Sequence, residues 1–267
     1  MSAGRQSGAD GRTVSCVRPV LDLADVTATV VLVHGAWHGA WCWDGIVAGL
    51  EARAIPAVAV DLPGHGLDAG PMTDLHGDAD RVRSVLDACD GPVVLVGHSY
   101  GGGVITEAGG HPQVAHLVYV AAFPLDESES AASAATEHPR LAELVHDGRP
   151  DLGSALAFAE DGTTTLIPEG AARLLYNRCS PDVAAAAVLR LDPQPMVNLT
   201  QSPTTVAWRE RPSTYAVCAD DNIVHPGLQR ILAERASTVV EWDTDHSPFL
   251  SRPDLVVDLL ADLAAQL

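Results

Sequence analysis

Ser99 stands in Gly97-His98-Ser99-Tyr100-Gly101, between an apolar run at 92–96 (PVVLV) and the segment 101–105 (GGGVI). A serine on a sharp strand-to-helix turn needs small residues on both sides, because the backbone there is strained and crowded. Such a turn lifts the hydroxyl above the sheet edge and sets backbone N–H groups beside it. The hydroxyl is a poor nucleophile until a base takes its proton. A histidine suits that task, with a carboxylate to orient it. In a nucleophile turn of this kind the partners follow in chain order, acid and then histidine, each on a loop after a later strand. Two loops fit. The run 213–218 is followed by Ala219-Asp220-Asp221-Asn222, and the run 238–242 by Asp243-Thr244-Asp245-His246. His246 is therefore the expected base. His225 is the other histidine after Ser99 at a late strand–helix junction, but it precedes the last strand. The acid is Asp221 or Asp220, and composition does not separate them. Acids before a helix also complement its dipole, which accounts for one of the two. The chemistry implied is acyl transfer through serine.

Acyl transfer needs two N–H donors for the oxyanion. One is expected from Tyr100, the residue after the nucleophile. The other is expected from the loop after the first strong strand, His34-Gly35-Ala36-Trp37-His38-Gly39. There Gly35 and Ala36 let the backbone approach a substrate oxygen, and Ala36 is the assigned donor. His34 and His38 read as turn and packing residues, since no carboxylate or cysteine lies at ligand spacing beside them. Asp61-Leu62-Pro63-Gly64-His65-Gly66 has tight-turn chemistry, and His65 is read as structural. No metal and no cofactor are expected.

These groups need elements to hold them. The run 29–33 (TVVLV) is apolar throughout, as in a parallel strand covered on both faces. Strands are expected at 29–33, 56–60, 92–96, 114–121, 213–218 and 238–242. Helices are expected at 41–53, 78–88, across 104–108, at 226–235 and at 250–265. Between about 125 and 195 the alternation breaks into Ala-rich, acidic sequence with no clear strand, and 152–159 and 170–175 read as helical. The pattern predicts an α/β fold, a mostly parallel doubly wound sheet, with a helical insertion near the strand C-termini where ligands bind in open α/β sheets. The expected division is an N-terminal extension at 1–28, a core at 29–124 and 196–267, and a helical cap at 125–195. Residues 1–11, rich in Gly, Ser and Ala, are expected to be disordered.

The 267 residues suffice for one large domain with a sizeable core. The formal charge of −19 argues against nucleic acid and anionic membranes as partners. All 16 basic residues are Arg. Without Lys there is no Schiff base, no Ser–Lys dyad and no P-loop. The five Cys have no regular spacing and read as free thiols in a reducing compartment. No segment at the start reads as a signal peptide or membrane span, so the expected location is the cytoplasm.

In this order the residues resemble the α/β-hydrolase superfamily, and more closely the plant methylesterase and hydroxynitrile-lyase family with its bacterial esterase relatives. The resemblance runs from about residue 29 to the end. It is carried by VLVHGAWHGAWCWDGIVAGLEARAIPAVAVDLPGHG (31–66), GHSYGGG (97–103), LLYNRCSPDVAAAAVLRLDPQP (174–195), YAVCADDNIVHPGLQ (215–229) and DTDHSPFLSRPDLVVDLL (243–260). It implies an α/β-hydrolase fold with a helical cap after the sixth strand of the fold. It places the acid on Asp221 and the oxyanion donors on Ala36 and Tyr100. The family's lyases differ at two matching positions, with Thr where this chain has Gly35 and Lys where it has Ser247. The expected function is therefore ester hydrolysis through a Ser99-Asp221-His246 triad, on a small or medium-sized, mainly apolar substrate. Gly35, Trp37, Phe123, Leu125 and Phe158 are the candidate pocket walls. Lyase chemistry, tailoring of a lactone or thioester, and ligand reception without turnover are the competing readings. The family's frequent assembly is a homodimer, for which no surface pattern in this sequence argues.

Overall fold

The computed structural model describes residues 28–144 and 148–267. The extension expected at 1–28 lies outside them except for Ala28, as does Cys16. In chain order the main elements are β1 (Thr29–Val33), α1 (Asp44–Glu51), β2 (Ala57–Val60), α2 (Leu75–Leu86), β3 (Val93–His98), α3 (Gly101–Ala108), β4 (Val114–Val120), α4 (Ala131–Thr136), β5 (Leu156–Phe158), β6 (Thr163–Leu166), α5 (Pro168–Leu175), α6 (Pro181–Val188), β7 (Gln194–Pro195), α7 (Met196–Thr200), β8 (Ser213–Cys218), α8 (Pro226–Ala233), β9 (Thr238–Trp242), α9 (Pro248–Ser251) and α10 (Pro253–Ala264).

Six strands form one sheet in the order β2-β1-β3-β4-β8-β9, and every pairing is parallel. Alternation of side chains along each strand divides the core between two faces. Val31, Val33, Leu95, Leu117, Tyr119, Tyr215 and Val217 pack on one face with residues of α2, α3 and α8. Val30, Leu32, Val94, Val96, Val118, Val120 and Ala216 pack on the other with α1 and α10. Both faces are covered, which is why the central strands read as unbroken apolar runs.

The chain leaves β1 outward to β2 and returns to β3 on the other side of β1. Strand order thus reverses between β1 and β3. Such a reversal opens a crevice at the strand C-termini. Because the sheet is parallel, the loops after β1, β3, β4, β8 and β9 all converge on that one edge.

Two helical boundaries differ from expectation for local reasons. Helix α2 starts earlier, because the Asp74 carboxylate accepts from Gly77 N at 3.0 Å and caps it. The helix expected at 250–265 is two pieces, α9 and α10. Pro253 has no N–H to continue a helix, and Arg252 before it is extended at φ −145°.

The insertion between β4 and β8 holds α4 to α7 and also three strands. The expectation of no strand there, and of a helix at 152–159, is corrected. A single helical turn at Gly153–Ala155 leads into β5, and β5, β6 and β7 form a small antiparallel sheet. Between β5 and β6, Gly162 takes φ +83°, and Ala159 N bonds Thr163 O at 2.9 Å. Asp161-Gly162 is the local chemistry of such a turn. The helix expected at 170–175 is present within α5. Among the described residues no helix is long and apolar enough to cross a membrane.

Candidate active site

Ser99 follows β3 and precedes α3, with φ +51°, a region that residues with a Cβ rarely adopt. Close backbone packing enforces the turn. A Cβ on Gly97 would stand 2.5 Å from Gly101 O, and one on Gly101 would stand 2.6 Å from His34 O. Ser99 N–H donates to Val120 O at 3.1 Å, and Ser99 O accepts from Phe123 N at 3.2 Å. The turn is thereby tied to the end of β4.

Asp221 follows β8 and His246 follows β9. His246 Nδ1 and Asp221 Oδ2 are 2.7 Å apart, and both side chains are buried. With the carboxylate as acceptor, Nδ1 carries the proton and Nε2 is left to act as a base. The carboxylate is held from every side. Oδ1 accepts from Ile223 N at 2.6 Å and Val224 N at 3.0 Å, and Oδ2 also accepts from Gln229 Nε2 at 2.7 Å. Asp220, the alternative left by composition, is elsewhere. Its side chain is 42% exposed and accepts from Asn177 Nδ2 at 3.2 Å. His98 Nε2 lies 2.8 Å from His246 O, so the residue before Ser99 fixes the backbone of the histidine loop.

Ala36 and Tyr100 flank this turn. Among the described residues neither backbone N–H has an acceptor within the protein. The expected pocket residues Trp37, Phe123 and Leu125 lie with Ala36 and Tyr100 in one buried apolar cluster. Gly35 lies against Ser99, where an added Cβ would be 2.8 Å from Ser99 Cβ and 2.7 Å from His98 Nδ1. Phe158 is a correction, because it is 70% exposed. It pairs with Thr164 at the turn end of the β5–β6 hairpin, where no described residue covers it.

Three buried histidines frame the site. His34 Nδ1 lies 2.9 Å from Gly35 O, and its Nε2 accepts from Leu62 N at 3.1 Å. Burial, with His65 nearby, lowers its pKa to about 3. His38 Nδ1 lies 2.9 Å from Ala36 O and its Nε2 2.8 Å from Tyr176 OH. Burial lowers it to about 4. His98 is pushed well below the usual histidine range by burial and by the adjoining His246. Each is therefore a neutral ring holding backbone. Among the described residues no cluster of His, Cys, Asp and Glu could hold a metal ion.

Four features were missed in the sequence. Trp37 has φ +63° and is gripped by the insertion. Its Nε1 donates to Thr164 Oγ1 at 3.2 Å, its N to Gln194 Oε1 at 3.3 Å, and its O accepts from Asp192 N at 2.8 Å. Tyr100 OH donates to Asp78 Oδ2 at 2.6 Å, and Asn198 Nδ2 reaches the same oxygen at 2.7 Å. Thr73 Oγ1 donates to Asp78 Oδ1 at 2.7 Å. Asp78 is wholly buried; burial pushes its carboxyl up, and the Tyr100, Thr73 and Asn198 hydrogen bonds oppose the shift. Asp245, also wholly buried, accepts from Arg178 N of the insertion at 2.9 Å, from Ser251 Oγ at 2.6 Å and from Ser247 N at 3.2 Å. Gln229 is the fourth, as the amide on Asp221. A polar residue in an otherwise apolar helical stripe, as with Asp78 and Gln229, was the available signal.

The model of the Alpha/beta hydrolase family matches residues 30–259. The chain is 32% identical over 254 residues to the Alpha/beta hydrolase nvfD of Aspergillus novofumigatus, covering 89% of this chain and 96% of that one. It is 28% identical over 257 residues to Methylesterase 17 of Arabidopsis thaliana, covering 88% and 90%. Among solved structures, the pyrethroid hydrolase of Sphingobium faniae superposes with a TM-score of 0.77 at 24% identity, covering 90% of this chain and 98% of that one.

Proposed function

The chain belongs to the alpha/beta hydrolase family, and on that premise we propose that it is a serine esterase acting through an acyl-enzyme. The observation that carries the reading is the buried His246–Asp221 pair, 2.7 Å apart and tethered through His98 to the turn that bears Ser99. The relatedness to a methylesterase supports it.

In the proposed mechanism His246 Nε2 takes the Ser99 proton as Oγ attacks the carbonyl carbon. Asp221 keeps Nδ1 protonated and stabilises the imidazolium. The N–H groups of Ala36 and Tyr100 receive the oxyanion; loss of one such donor typically costs ~2.7–4 kcal/mol. The tetrahedral intermediate collapses, the C–O bond to the alcohol breaks, and the imidazolium protonates the departing alkoxide. Water, deprotonated by His246, then releases the acid and restores Ser99. No cofactor enters. The apolar surroundings of Trp37, Phe123 and Leu125 suit a small or medium-sized, mainly apolar ester.

The lyase reading is less favoured at Gly35. The family's lyases carry Thr at that position and Lys where this chain has Ser247.

The test is turnover of p-nitrophenyl acetate, butyrate and octanoate by the wild type and by Ser99→Ala. The proposal expects wild-type turnover and a loss of about 10⁴-fold in kcat in the variant. Equal, slow rates for both would refute it and favour the lyase and receptor readings.

A further inference from the structure

The two N–H groups assigned to the oxyanion stand on different loops, after β1 and after β3. The loops pack on each other where Gly101 meets His34 O, and residues of the insertion grip both of them as well. On the Ala36 side the next residue, Trp37, holds a left-handed backbone that a bulky side chain disfavours. Three insertion residues fix it there: Thr164 on the indole, Gln194 on the peptide N–H and Asp192 on the peptide oxygen. Thr164 and Gln194 are buried, and Thr164 Oγ1 in turn lies 3.2 Å from Gln194 O. On the other side the Tyr100 phenol is pinned between Asp78 of α2 and Asn198 of α7, whose Nδ2 lies 2.7 Å from Asp78 Oδ2 and 3.2 Å from Tyr100 OH. Among the described residues the buried Asp78 carboxyl has three neutral partners and no cation bonded to it, and it fixes those partners closely, since leaving a polar group unpaired there is costly.

We propose that the insertion aligns the oxyanion hole, with Thr164, Gln194 and Asp192 setting Ala36 through Trp37, and Asn198 and Asp78 setting Tyr100. These five are positioning residues, and the inference rests on the esterase reading above. A donor set on two loops stabilises the transition state only when both N–H groups meet the oxygen together. Docking of the insertion thus completes the site as well as covering it.

Three near-isosteric or truncated variants test this: Thr164→Val, Asn198→Ala and Tyr100→Phe, each checked for folding by thermal melt. For each, kcat and KM on p-nitrophenyl butyrate are measured beside the affinity for an alkyl trifluoromethyl ketone. That ketone forms a tetrahedral oxyanion adduct with the serine. The expected result is a parallel loss of about 10- to 100-fold in kcat and in ketone affinity, with KM within about threefold of wild type. Thr164→Ser, which keeps the hydroxyl, is expected to retain wild-type kcat. The proposal is overturned if folded variants keep kcat and ketone affinity within about twofold, or if KM rises while kcat holds. A wild-type rate in Ser99→Ala would instead bring down the esterase reading, and this inference with it. An inactive Ser99→Ala beside unaffected variants would bring down the alignment alone.

Discussion

The space at position 35 is set by Ser99, the proposed nucleophile. A side chain there meets Ser99 Cβ at 2.8 Å and the His98 ring at 2.7 Å, and neither can retreat, because both sit on a turn fixed to β4. Gly35→Ala is therefore expected to displace the Ser99 turn and lower kcat by about 100-fold, the usual effect of ångström-scale misplacement. The thermal midpoint should move much less than the rate, and steady-state kinetics beside a melt reads both. At the same scale the candidate acid is distinguished by its surroundings rather than by sequence position. Asp220 and Asp221 are adjacent, yet only Asp221 is buried among two backbone N–H groups, Gln229 and His246. Adjacent acids have identical local chemistry in the sequence. The resemblance to the methylesterase family pointed to Asp221 where composition could not.

At the scale of elements, the parallel strands were legible because covering both faces leaves a plain trace, apolar runs such as TVVLV with turn residues at their ends. The sites after β1, β3, β8 and β9 followed from that alternation. The insertion was not legible in the same way. Its strands are two to four residues long, and polar ties hold it to the core. Periodicity cannot register a strand of three residues, though Asp161-Gly162 marks a hairpin turn. Phe158 was misplaced for a related reason, since apolar identity does not say whether a neighbour covers the face. Those polar ties also make a prediction. Asp245 gathers Arg178 N, Ser251 Oγ and Ser247 N, so Asp245→Ala leaves buried donors without an acceptor. The expected cost is roughly 1–3 kcal/mol of stability. Limited trypsin digestion should then cut faster at Arg173, Arg178 and Arg190 than in wild type, while cleavage in the α/β core stays slow. Unchanged cleavage at these sites would show that Asp245 does not secure the insertion.

For the whole molecule the buried rings set a pH dependence. His34 and His38 titrate near 3 and 4 when folded, and His98 well below its ordinary value, whereas an unfolded chain protonates each near 6.5. Below that value the unfolded state binds protons that the folded state refuses, so stability falls as pH drops from about 6.5 toward 4. His34 and His38 each contribute roughly 1.4 kcal/mol per pH unit across most of that range, and His98 adds in the same direction. Urea midpoints at pH 7.5 and 5 should therefore differ markedly, and a flat profile would contradict the neutral burial of these rings. The enclosure that keeps the histidines neutral also surrounds Ser99. Ser99 is 6% exposed and His246 1%. A serine so enclosed answers to a clock other than its own reactivity. Inactivation by a phosphonate reagent should stop accelerating with concentration and reach a ceiling, the frequency at which the protein parts over Ser99.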